Sequence, residues 1–200
     1  MNVQQRYRIS SEPVVEKSSN GAAAKQSWPL PIEEAFLEEY LSYVFGTYSD
    51  QIIFGPLIEG AAYEWTCPCA PQAIRLFDGY LTVNFGGPHF HLCIGEIKGS
   101  PEDPVPDDVN TRRRPAKAQM FRRLDKDGAP ISWGFEMENG AGAPMISIFF
   151  ANPFLLSGDR ISPEPQWEKL AMWRDLAMRY LGREPEAFDE SGRGFRGDHG

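Results

Sequence analysis

The apolar positions of the chain change period several times, and each change marks an element. In WPLPIEEAFLEEYLSYVFG, residues 28–46, Ile32, Phe36, Tyr40 and Tyr43 recur with Leu37, Leu41 and Val44 at helical spacing. Pro31 suits a helix start, Glu33 and Glu34 lie where the positive end of the helix dipole favours carboxylates, and Gly46 supplies a stop. The pattern predicts an amphipathic helix whose aromatic residues belong to a core. QIIFGPLIEGAAYEW reads as a short strand, a turn at Gly55-Pro56, then irregular chain. From Ala73 the period is two. AIRLFDGYLTVNF is a pair of apolar runs joined at Asp78-Gly79, the strongest short-range hairpin signal, and HFHLCIGEI is a third strand.

The Pro- and Asp-rich stretch 99–111 is a long excursion. A further strand pair follows around Asp127-Gly128, and Asn139-Gly140 leads into the buried strand PMISIFF. In QWEKLAMWRDLAMRYLG, Trp167, Leu170, Ala171, Ala177, Met178 and Leu181 form one stripe that Gly182 ends. Short turns between strands imply antiparallel pairing. The expected fold is α+β: an antiparallel meander of about six strands packed with an N-terminal and a C-terminal helix.

The apolar period fades at both ends. Residues 1–27 therefore read as a flexible arm, 28–184 as a single globular domain, and 185–200, with His199, as a flexible tail. A formal net charge of −8 and a pI near 5.0 argue against nucleic acid as a partner, which needs clustered cations. The basic run TRRRPAK follows the acidic SPEDPVPDDV, so a self-compensating solvated loop is expected there. The first thirty residues lack a signal peptide's apolar core, and no stretch approaches the ~20 apolar residues of a membrane helix. These features predict a cytoplasmic protein with reduced thiols and no membrane partner. Whether it takes a protein partner or a small molecule stays open at this stage.

The candidate chemistry lies between residues 67 and 93. TCPCAP carries Cys67 and Cys69, and GGPHFHLCIGE carries His89, His91 and Cys93, each separated from the next by one residue. Residues two apart on a strand share a face, roughly 6.6–6.8 Å apart, close enough for two imidazoles to lean on one ion. The residue before Pro68 is pushed into extended conformation, so the two sulfurs of Cys67 and Cys69 tend to one side. A disulfide between them would be strained. CxC plus HxH is a possible tetrahedral set for one divalent cation, Zn or Fe, with Cys93 as a fifth candidate. Glu59, Glu64 and Glu96 are possible oxygen ligands or bases, although parity puts Glu96 opposite the histidines.

Leu81, Val83 and Phe85 share parity with His89, so the register must break at Gly86-Gly87-Pro88 for the histidines to face a separate pocket. The competing reading is a half-buried strand whose histidines bond to backbone or carboxylates and whose cysteines act as small hydrophobes. The sequence thus supports a metal-binding single-domain protein, structural, transfer or catalytic, with enzyme status undecided. Its alternative is a metal-free accessory protein that binds a small molecule or partner in an apolar pocket, lined by Trp65, Phe77, Trp133 and Phe135.

Overall fold

The computed structural model describes residues 3–17, 19, 23–58, 60–67, 69–158 and 160–195. Glu59, Pro68 and His199, named above, lie outside them. The fold is α+β. Its helices are α1 (Val3–Tyr7), α2 (Glu34–Tyr48), α3 (Asp107–Arg113) and α4 (Ala171–Leu176). The strands begin with β1 (Val14–Lys17), β2 (Ala23–Leu30) and β3 (Ile52–Gly55), followed by the two-residue β4 (Leu57–Ile58), β5 (Ala61–Ala62) and β6 (Trp65–Thr66). Next come β7 (Ala73–Phe77), β8 (Tyr80–Asn84) and β9 (His89–Cys93), then the short β10 (Gly99–Ser100) and β11 (Asp103–Pro104). Three long strands close the set: β12 (Pro115–Leu124), β13 (Pro130–Asn139) and β14 (Pro144–Phe150).

The expected meander divides into two sheets. Strands β7-β8-β9 pair only with one another, while β12, β13 and β14 continue a seven-stranded sheet of order β1-β2-β12-β13-β14-β3-β6. The excursion between the two sets is ordered locally. Asn110 in α3 is buried and reads the peptide of Ile97 both ways: its Oδ1 accepts the Ile97 N–H at 2.8 Å and its Nδ2 donates to the Ile97 carbonyl at 2.5 Å. By contact density the chain forms two units.

One unit comprises Leu30–Ala118 and Glu136–Ile148. Its helix α2 buries Phe36, Leu37, Tyr40, Leu41 and Val44 of the expected face and adds Phe45, while Tyr43 is half-buried. The boundaries differ. Glu33 is the extended N-cap and its carbonyl receives the Leu37 N–H, so Ile32 falls outside and is 42% exposed. Gly46 does not stop the helix, which runs on through Tyr48 into a 3-10 turn at Ser49–Gln51. In the three-stranded sheet, Asp78 (φ 45°) and Gly79 (φ 75°) both take left-handed backbone, as a type I′ hairpin turn requires, and Phe77 pairs with Tyr80. The next turn places Asn84 opposite His89 and Thr82 opposite His91. Both histidines therefore share a face with Thr82 and Asn84, away from buried Leu81 and Val83. The parity conflict disappears in this hairpin, closed by the Phe85 N–H on the Pro88 carbonyl at 3.0 Å.

The other unit comprises residues 1–29, Gln119–Phe135 and 149–200. Residues assigned from sequence to the terminal arms take regular structure here: β1 pairs antiparallel with β2, and Ala187–Glu190 forms a 3-10 turn. The expected C-terminal helix is composite, a 3-10 turn at Trp167–Leu170, α4, and a π turn at Ala177–Leu181 that ends at left-handed Gly182. Its buried residues are Leu170, Met172, Trp173, Leu176, Ala177, Tyr180 and Leu181; Ala171 and Met178 lie exposed instead.

This unit buries a charge. Arg122 on β12 is 4% exposed and donates to Gln26 Oε1 at 2.6 Å, Glu186 at 3.0 Å and Asp189 Oδ1 at 2.7 Å. Asp189, 2% exposed, also accepts the indole N–H of Trp133 at 3.0 Å and that of Trp173 at 2.9 Å. The guanidinium lies 4.4 Å from the Phe188 ring centroid and 5.4 Å from that of Trp28. Removing one member of a buried pair strands the other, at a cost of about 3–5 kcal/mol. Asp189→Ala should lower the unfolding free energy by that order, read from denaturant titration of tryptophan fluorescence; a loss under about 1 kcal/mol would show the site is wetted.

Gly46 tests the helix extension. A Cβ there meets no atom within 4 Å, so Gly46→Ala should raise stability by up to ~1 kcal/mol in the same measurement. A destabilised variant would show that the helix does not continue past this residue.

Candidate functional site

A groove of about 380 Å³ opens beside β9 in the unit that carries α2. Its aromatic wall is built by Phe54 of β3, Trp65 of β6 and Phe90 of β9. Phe54 lies 5.4 Å from Trp65 and 5.2 Å from Phe90 between ring centroids, and Phe45 of α2 packs against both Phe54 and Phe90. Met145 and Ile146 of β14 add aliphatic surface, and Tyr63 and Pro56 close one side. The closure depends on Gly55. A Cβ there would stand 1.7 Å from the Tyr63 carbonyl oxygen, and the Tyr63 N–H returns to the Pro56 carbonyl at 3.2 Å.

Pro88, His89, Phe90, His91 and Leu92 supply the rest of the lining. The two imidazoles are 5.3 Å apart at an interplanar angle of 79°. His89 Nδ1 stands 3.2 Å from the Gly87 carbonyl, which can only accept, so this nitrogen carries a proton and Nε2 is the ring nitrogen left to meet a ligand. His91 Nδ1 lies 2.7 Å from the Thr82 hydroxyl, a contact either partner can donate. Among the described residues no carboxylate lines the groove, and the ionisable groups of the lining are the two imidazoles and the Tyr63 phenol.

The five expected metal ligands do not converge. Among the described residues no group of three or more His, Cys, Asp or Glu side chains could hold a metal ion, which overturns the expected Zn or Fe site at Cys67, Cys69, His89, His91 and Cys93. The physical reason is burial and register. Cys93 shares parity with the histidines, but the strand passes under cover between His91 and Leu92, and the Cys93 thiol donates to the Gly95 carbonyl at 3.6 Å. Cys69 is exposed, with its thiol on the Phe85 carbonyl at 3.4 Å. Cys67 follows β6, whose Thr66 pairs with Ile53 of β3. Burial pushes the Cys67 thiol up to about 11, with Cys69 and Asp50 acting in the same direction and a backbone hydrogen bond opposing. Burial likewise raises Cys93. Neither is poised as a thiolate.

The competing strand reading fits these residues: the His89 ring bonds to backbone and Cys93 fills core. Glu64 and Glu96 are exposed. Of the aromatic residues expected in an apolar pocket, Trp65 lines the groove. Trp133 and Phe135 are buried in core, and Phe77 is 81% exposed. Phe54, Gly55, Tyr63, Phe90, Met145 and Ile146 were not anticipated as lining. The one sequence signal is the presence of Phe54, Tyr63 and Trp65 in the stretch 54–65 that holds Gly55-Pro56, which reads equally as core.

The thiol environments predict an order of alkylation. Below pH 9, iodoacetamide should modify Cys69 first and leave Cys93 protected. Cys67 should react slowly, its rate rising about tenfold per pH unit because its thiolate fraction does so below the pKa. Peptide mass spectrometry reads all three. Equal labelling of Cys93 and Cys69 at pH 7.5 would contradict the burial described.

Comparison with known proteins places this geometry in a lineage. No curated protein matches the chain. A family model, described as a family of unknown function, DUF7676, matches residues 13–182, which include α2, both sheets and every residue of the groove. The chain belongs to that family of unknown function, DUF7676.

Proposed function

We propose that the chain is a ligand-binding module whose groove beside β9 holds an amphipathic ligand. The apolar part of the ligand lies against Phe54, Trp65 and Phe90, and an acidic group meets His89 and His91. The observation that carries this reading is the combination in one groove of an aromatic wall and paired imidazoles, with no carboxylate among the described lining residues. Its volume, about 380 Å³, falls in the range of small-ligand sites. A chain of net charge −8 repels anions at long range, so a groove whose described lining carries two imidazoles and no carboxylate is where an acidic group would meet least opposition. The reading is one of binding rather than catalysis. Neither imidazole is hydrogen-bonded to a thiol, since Cys69 and Cys93 both donate to backbone carbonyls. Three free cysteines suit a cytoplasmic setting for this role.

No helix among the described residues is long and apolar enough to cross a membrane.

Titration with 4-phenylbutyrate should change tryptophan fluorescence, and Trp65→Phe should remove the response. The uncharged 4-phenylbutyramide should bind more weakly. His91→Ala should weaken phenylbutyrate by roughly tenfold, the lower end for a hydrogen bond to a charged group. Gly55→Ala should abolish binding with the fold intact by circular dichroism, because Tyr63 must move. Equal affinity for acid and amide would refute the role given to the imidazoles.

A further inference from the structure

We infer that the natural ligand of this groove is an extended peptide that adds to β9 as a fourth strand, with acidic side chains at alternate positions. The inference rests on the binding role proposed for the groove and names the class of ligand.

The backbone of β9 carries the argument. β9 is the end strand of its sheet. Along an antiparallel ladder, residues alternate between those whose N–H and C=O face the partner and those whose groups face away. Two bonds fix the phase: the Phe85 N–H reaches the Pro88 carbonyl at 3.0 Å, and the Ile94 N–H reaches the Gly79 carbonyl at 2.8 Å. Stepping by two, Pro88, Phe90, Leu92 and Ile94 turn their backbone groups to β8. His89, His91 and Cys93 turn theirs outward, and among the described residues no hydrogen bond to the outward groups of His89 or His91 is present. Sheet edges are usually guarded by lysine, by an inward charge or by a covering loop. None of the described lining residues is a lysine or an inward charge, and Pro88, which lines the groove ahead of β9, turns its backbone to β8 and so removes no outward donor. Instead, consecutive residues from both faces of β9 line the groove, which therefore follows the strand edge.

Parity then sets the chemistry of the incoming strand. Directly opposed residues in a ladder share a face. Peptide residues opposite His89 and His91 present their side chains to the imidazoles, so carboxylates belong there. The residue between them, opposite Phe90, turns to the apolar face, where Phe54, Trp65 and Met145 await an aromatic or aliphatic group. The recognition pattern is acidic–apolar–acidic. Main-chain bonds would supply affinity and alternate side chains specificity, as in other strand additions.

The test uses the full chain and the peptide acetyl-Thr-Glu-Phe-Glu-Val-Thr-amide, followed by Trp65 fluorescence and calorimetry. In the inferred pairing the glutamate amides face β9 and the phenylalanine amide faces away. N-methylation of both glutamates should weaken binding at least tenfold, whereas N-methylation of the phenylalanine should change it less than threefold. On the protein side, His91→Pro deletes the outward donor at an edge position, where proline is tolerated. It should weaken the peptide further than His91→Ala does, while the two variants bind phenylbutyrate alike. If both methylated peptides bind equally, or phenylbutyrate binds and the peptide does not, strand addition is wrong and the groove reading stands. If neither probe binds, both fall. The methylated peptides leave the protein untouched, so the outcome does not depend on a variant folding.

Discussion

The Asp78-Gly79 turn is the constraint on which the groove depends. A slip of one residue in a strand pair exchanges its two faces. Here that exchange would send His89 and His91 into the aromatic core and expose Phe90 and Leu92. The turn resists slippage at several points. The Asp78 carboxylate receives the N–H groups of Lys98 at 2.7 Å and Gly99 at 3.1 Å, and the Gly79 carbonyl receives those of Ile94 and Gly95. A Cβ on Gly79 would stand 2.5 Å from the Glu96 carbonyl oxygen. One dipeptide thus holds the start of β8 and the exit of β9 together, and the polarity of each face follows from that.

In the unit containing β12, specificity is set by charge. An arginine at the end of the buried run 118–122 of β12 is costly unless its donors find acceptors. Arg122 is matched by Gln26, Glu186 and Asp189, and Asp189 is matched in turn by two indoles. The arrangement selects one register of β12 and one path for residues 186–190, since any other leaves an ion in an apolar setting. Arg183 adds a contact to Glu186 and lies over Trp28, so the same carboxylate links two cations.

Elements whose determinants are local were legible in the sequence. The α2 face follows helical period, and the Asp78-Gly79 hairpin follows from turn chemistry. Legibility failed where the decision is made by distant partners. Nothing in AKAQMFRRL says that Arg122 is interior, because its acceptors lie near residues 26 and 186–189. The separation of β7–β9 from β12–β14 likewise depends on the lateral partners of each strand rather than on the strands themselves. The groove joins residues near 54, 65, 90 and 145, each reading as ordinary core in its own window. The metal expectation failed for a related reason: closeness of cysteine and histidine along the chain does not fix where their side chains point. Cys93 shares the parity of His91 yet not its exposure, because the cover over β9 begins between them. The C-terminal stripe holds at Leu170, Ala177 and Leu181 and fails at Ala171 and Met178, where the chain tightens to 3-10 and widens to π within one segment and so shifts the period.

The pairing of Arg122 with Asp189 also orders events in time. The two residues are 67 positions apart. At a ribosomal rate of about 5–20 residues per second, roughly 3–13 s separate the synthesis of the cation from that of its counter-ion. During that interval β12 carries an arginine that an apolar interior disfavours, so docking of this strand is held back while α2 and the β7–β9 hairpins, complete earlier in the chain, are free to form. Burial of Arg122 against matched acceptors therefore has to wait until residues 186–189 have been made.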